Sequence, residues 1–138
     1  MRKIKIVADS SCDKFSLEHT EFACAPMKII TADREFVDDR ALDVNEMVAY
    51  LDSYKGRSKS SCPNVNDWLE AFGDADDVFC VTITSGLSGS FNSARLAKEE
   101  YESKIPEMAS AALVDGCTAT NPRIPTKDEV IAIYKKLW

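Results

Sequence analysis

Apolar residues recur along this chain with two different periods, and the switches between them predict strands alternating with helices. Ile4-Lys5-Ile6-Val7-Ala8 and Val78-Phe79-Cys80-Val81-Thr82-Ile83 are short, β-branched runs that end at polar turns, the pattern of strands buried on both faces of a parallel sheet. Phe22 to Ile30 reads as a second extended segment whose internal Pro26 fits an edge or bent strand, and Arg34 to Asp38 adds a small hairpin. Residues 14–21 contain Phe15 and Leu17 without a helical stripe and read as a linker with a turn.

Asp43 and Glu46 are spaced as a capping box, and Val44, Met47, Val48, Leu51 and Tyr54 follow at helical spacing, predicting a helix over about 44–54 that ends at Gly56. Asn64 starts a second helix with an apolar face of Trp68, Leu69 and Phe72, stopped by Gly73. A third, from about Ser88 to Tyr101, buries Phe91, Ala94 and Ala97. Ala111-Ala112-Leu113-Val114 reads as a strand ending at Asp115-Gly116, and Thr118 to Pro125 as a connection. Thr126 and Glu129 form a second capping-box pattern before an amphipathic helix carrying Val130, Ile131, Ile133, Tyr134, Leu137 and Trp138. Strands alternating with helices predict an α/β fold, a mainly parallel sheet with flanking helices and right-handed crossovers.

Length and charge narrow the function classes. At 138 residues the expectation is a single domain over 1–138 with a sizeable core. No apolar run approaches the ~20 residues of a membrane span. The basic start, Met1-Arg2-Lys3, leads into a run too short for a secretion signal, so a cytoplasmic location is expected. A net charge of −6 weighs against nucleic acid as a partner. The five cysteines are an odd number and are read as reduced, with Cys24 and Cys80 packing as small hydrophobes and Cys12 and Cys62 as small loop residues.

Candidate chemistry gathers in three serine-rich turns: Asp9-Ser10-Ser11-Cys12-Asp13, Ser58-Lys59-Ser60-Ser61-Cys62-Pro63 and Thr84-Ser85-Gly86-Leu87-Ser88-Gly89-Ser90. The first and third follow strands, and the third opens a helix, whose N-terminal amides favour a bound anion. In open α/β sheets ligands sit outside the carboxyl ends of the strands, where both turns fall. A carboxylate there could accept hydrogen bonds from the hydroxyls of Ser60, Ser61 and Ser85 and the amides of Gly86 to Gly89. Gly86 and Gly89 are expected to allow close backbone approach and conformations closed to larger residues. The competing expectation is that Ser88 only caps the helix and the other serines fill turns.

Together these turns resemble the N-terminal half of the DegV family, over about residues 3–101: Asp-Ser-Ser-x-Asp after the first strand, a Ser-x-Pro turn mid-chain, and Ser-Gly-Leu-Ser-Gly-Ser-Phe-Asn-Ser-Ala opening a helix. Members are bacterial fatty-acid-binding proteins, some of which present the acyl carboxylate to a fatty acid kinase. The resemblance implies that Ser60 or Ser61 and Ser85 hold the carboxylate; Gly86, Ser88 and Gly89 stand in the same third motif as further ligand-binding candidates, and Asp9, Ser10 and Asp13, which match the first motif, are read as bracing the site. Serine stands at 60 where the family more often has threonine, and Cys62 replaces a glutamine. The likeness fades after about Glu102, and the family's second lobe is expected to be absent.

The implied function is therefore a non-catalytic carrier of a long-chain fatty acid, without cofactor or metal, that presents its ligand to a fatty acid kinase. The rival is a truncated structural or interaction lobe that binds no lipid and pairs with another chain or forms a homo-oligomer. An esterase or phosphatase using Ser85 is disfavoured because a serine nucleophile needs a base, and the single histidine, His19, lies in a linker with no sequence partner. Zinc-ligand spacing and a Walker-type motif are both missing.

Overall fold

The computed structural model describes residues 3–103, 105–114 and 122–137. Strand β1 (Ile4–Asp9) lies in the middle of a three-stranded parallel sheet, between β2 (Glu21–Ala25) and β6 (Asp77–Val81). Its register pairs Asp9 with Ala25 on one side and Ala8 with Val81 on the other, so both neighbours end where β1 ends. Burial deepens towards that end: Val7, Ala8 and Asp9 are all buried. Helix α2 (Val65–Phe72) packs against β1 and β2 and inserts the fully buried Trp68, whose ring lies 6.2 Å from that of Phe72. The predicted alternation and the parallel sheet are both present.

Proline 26 does more than bend a strand. It lacks an amide donor, and the segment predicted as one extended run divides there into β2 and β3 (Lys28–Ile30), which belong to different sheets. With β4 (Glu35–Val37) and β5 (Lys59–Ser61), β3 forms an antiparallel sheet in the order β4-β3-β5. The predicted hairpin is the β3–β4 pair, with Ile29 opposite Phe36. Strand β5 replaces what the sequence presented as a turn.

Helix α1 (Val44–Ser53) keeps half of its expected cap: Asp43 accepts from the amides of Asn45 and Glu46, while the Glu46 carboxylate turns away to Arg34 at 2.9 Å. Helix α2 carries the complete reciprocal box, Asn64 with Asp67. Helix α3 covers Ser90–Ser103. The predicted strand Ala111–Val114 is instead the last turn of helix α4 (Ile105–Val114), which buries Ile105 and Ala109. A four-residue apolar run fits either period, and Pro106 in the first turn favours helix. The expected strand end at Asp115-Gly116 and Trp138 lie outside the described residues. Helix α5 (Lys127–Leu137) starts at the predicted Thr126 and Glu129 box and packs with α4.

The chain divides into two compact units, Met1–Ala97 and Lys98–Trp138. Among the described residues, no helix is long and apolar enough to cross a membrane.

Candidate functional site

The candidate site is built at the carboxyl end of the parallel sheet, and Asp9 is its pivot. As the last residue of β1 it is only 2% exposed, yet its carboxylate is fully engaged. It accepts from the Ile83 amide at 2.8 Å and the Ser90 hydroxyl at 2.5 Å, and the Ser11 hydroxyl donates to its other oxygen. A buried carboxylate is tolerated when donors surround it, and these donors come from two different turns. Asp9 therefore ties the first turn to the third.

Ser10 and Asp13 serve the same turn. The Ser10 hydroxyl, 4% exposed, accepts from the Met27 amide at 3.0 Å and so holds the chain beyond Pro26. Residues Ser10–Cys12 make a single 3-10 turn that closes at Asp13, whose φ of 52° is left-handed and whose amide returns to the Ser10 carbonyl. An aspartate tolerates that conformation better than most residues.

The loop from β6 to α3 forms the cradle proper. The amides of Leu87 and Ser88 donate to the Thr84 carbonyl at 3.0 and 3.1 Å, which spends them inside the loop. The Gly89 carbonyl accepts the first helical bond of α3 from Ser93, and the Ser88 hydroxyl accepts from the Ser90 amide at 3.2 Å. Ser88 thus caps the helix while keeping its own proton to donate. The amides of Gly86 and Gly89 stay outside these bonds. Ser85, Gly86 and Leu87 are exposed, with Leu87 83% exposed.

Neither glycine of this loop adopts the left-handed conformation expected of it, since Gly73 is the glycine with a positive φ among the described residues. Gly86 faces open space. Gly89 lies close to a neighbour: a Cβ there would come within 3.0 Å of Cys62 Sγ, and the cysteine side chain would have to give way. That contact brings the segment after β5 against the third turn.

Within β5 the pairing decides which serine is available. Ser60 lies opposite Ile29 and Ser61 opposite Lys28, so their side chains point to opposite faces of the sheet. Ser61 donates its only proton to the Cys62 carbonyl at 3.2 Å, whereas Ser60 is exposed and its hydroxyl makes no such bond. No direct hydrogen bond joins Ser60 or Ser61 to Ser85 among the described residues.

Sequence reasoning passed over the support behind the cradle. Ser93 accepts from the Trp68 indole at 2.9 Å and donates to the Ser90 carbonyl at 3.0 Å, linking α2 through α3 to Asp9. Ser90 is fully buried. The signal was there: Ser90 and Ser93 stand three apart on one helical face, beside Ala94 and Ala97. His19, in contrast, is exposed and meets only Glu18, at 3.8 Å. Among the described residues no cluster of three or more His, Cys, Asp or Glu could hold a metal ion.

Comparison with known proteins gives this arrangement its relatives. A family model described as an uncharacterised protein of the DegV family matches residues 3–121, past the point near residue 101 where the motifs fade. A DegV domain-containing protein of Streptococcus pneumoniae is 45% identical over 107 residues, covering 75% of this chain and 38% of its own length. Two solved structures superpose with a TM-score of 0.71: a DegV family protein from Eubacterium eligens loaded with heptadecanoic acid, and the Streptococcus pneumoniae Fatty Acid Kinase (Fak) B3 protein loaded with linoleic acid. They are 33% and 34% identical to this chain and cover 96% and 99% of it. The chain spans about half of those two proteins, 52% and 54% of their lengths.

Proposed function

The chain belongs to the DegV family, and on that premise we propose that it binds a long-chain fatty acid through its carboxylate, as a carrier without catalytic activity that presents the acid to a fatty acid kinase. The observation that carries this reading is the engagement of Asp9. Both of its oxygens are occupied by the Ile83 amide and the Ser90 and Ser11 hydroxyls, so Asp9 fixes the loop without consuming the remaining donors of the third turn, which are left for a ligand. The Ser60 and Ser85 hydroxyls and the Gly86 and Gly89 amides then supply the donors, with Ser88 adding a proton from its cap position. Ser61 is the poorer donor because its proton is already committed. Relatives loaded with heptadecanoic and linoleic acid support an aliphatic acid as the ligand class.

Lipid analysis of the chain purified from a bacterial host tests the proposal. A fatty acid at close to one per chain is the expected result. Protein that carries none, and takes up none when titrated with heptadecanoic acid, sinks it.

A second reading has its own support. Phe79 and Val81 of β6 are 62% and 57% exposed, which suits a lobe that exists to pair with another chain. In that case the same purified protein is lipid-free and associated.

A further inference from the structure

Residues of two different sheets have to be fixed against each other for the three serine turns to act together. The first and third turns follow strands of the parallel sheet, whereas Ser60 stands on β5 of the antiparallel one, opposite Ile29 of β3. That pairing sets Ser60 within its own sheet and leaves its place relative to Ser85 to other contacts. One is the Met27 amide on the Ser10 hydroxyl at 3.0 Å, and another is Cys62 Sγ beside Gly89. A third runs through the interior. Pro63, fully buried and fixed in φ, joins the end of β5 to the Asn64 cap of α2, and one turn further on the Trp68 amide donates to the Asn64 carbonyl. The buried Trp68 indole donates to the Ser93 hydroxyl at 2.9 Å. That hydroxyl has one proton, which goes to the Ser90 carbonyl at 3.0 Å, and the Ser90 hydroxyl in turn donates to Asp9 at 2.5 Å. The relay therefore ends on the carboxylate that ties the first turn to the third.

On the reading that Ser60 is a carboxylate donor, we propose that Trp68 is a positioning residue for the ligand: through its hydrogen bond to Ser93 it sets where Ser60 stands relative to the donors of the third turn. The ring and the N–H of Trp68 have separable tasks. The ring fills space against β1 and β2, and another aromatic ring could do much of that. The N–H has a direction, from α2 towards α3. Without it the place of α2 is left to apolar packing, which is non-directional, and a small shift of α2 carries the end of β5 with it through the stiff Pro63 link. A carboxylate shared between Ser60 and Ser85 needs both hydroxyls within about 2.5–3.0 Å of its oxygens at once, so such a shift weakens one bond of the pair.

The test uses the full chain and heptadecanoic acid. Ser93→Ala removes the acceptor while keeping a good helix former, and should weaken binding about threefold to tenfold in a calorimetric titration. Trp68→Phe, which keeps an aromatic ring and loses the N–H, should show the same pattern. In a Ser60→Ala background Ser93→Ala should cost less than about twofold, because the group it positions is gone, whereas in a Ser85→Ala background it should keep its full effect. Ser93→Thr, which keeps the hydroxyl, should bind within about twofold of wild type. A merely structural loss would weaken binding alike in every background. Nuclear magnetic resonance of the ligand-free chain gives a second readout: the Ser60 amide resonance should move in Ser93→Ala and return towards its wild-type position in Ser93→Thr. An equal penalty with and without Ser60, or a Ser60 amide that stays in place in Ser93→Ala, would overturn the positioning role and leave the carboxylate reading standing. A wild-type chain that takes up no heptadecanoic acid sinks the carboxylate reading instead, and the Ser60 amide then decides whether Trp68 sets the place of that serine.

Discussion

At the scale of single residues, the cradle and its brace should respond to mutation in different ways. Ser85→Ala removes a charge-assisted donor from a partly desolvated carboxylate and should weaken fatty acid binding by about 1.5–3 kcal/mol in a calorimetric titration. His19→Ala should change nothing, because that ring is exposed and touches only Glu18. Asp9→Ala leaves the Ser90 hydroxyl, fully buried, and the Ile83 amide without their acceptor. Each stranded donor costs about 1–3 kcal/mol, so this variant should lose stability in chemical denaturation before binding can be compared. The sequence announced Asp9 and the third turn because their residue types are unusual for plain turns. It did not announce the different surroundings of Ser60 and Ser61, which follow from the pairing of β5 with β3.

At the scale of elements, legibility followed how local the cause was. Helices α1, α2 and α5 were readable because caps and apolar stripes lie within a few residues of each other. Strand β5 was not, since Lys59-Ser60-Ser61 has no alternation of its own and is a strand only because β3 offers it an edge. The cap of α5 gives a pH test. Glu129 accepts from the Thr126 amide at 2.8 Å and from Arg123 at 2.7 Å, and these bonds hold its carboxyl below the ordinary range. A depressed folded value means the contribution is fully present above the unfolded pKa, near 4.3, and is lost as pH falls through the folded value. The protection factors of amides in the first turn of α5, measured against the intrinsic exchange rate at each pH, should therefore fall below about pH 4. Glu129→Gln should already show lower protection factors at neutral pH and little further fall on acidification; a wild-type turn whose protection factors are flat through this range would remove the assignment.

At the scale of the whole molecule, the deciding feature is a strand whose composition and position disagree. Val78, Phe79, Cys80 and Val81 have the unbroken apolar character of a strand buried on both faces, yet β6 ends the sheet order β2-β1-β6 and leaves Phe79 and Val81 more than half exposed. Leu87 and Phe91, on the loop and helix that follow, are exposed as well. Among the described residues no strand pairs with the outer edge of β6; an open edge with apolar side chains is a template for another strand, and β6 carries one charge, Asp77, at its start and no proline. In a purified sample the available strand is β6 of a second copy. The chain should therefore self-associate, with a sedimentation coefficient that rises with concentration, and Phe79→Lys combined with Val81→Lys should return it to a monomer of unchanged helicity. A wild-type chain that sediments as a monomer throughout would mean the edge is covered within the chain itself, and a charged variant that still associates would move the contact away from β6.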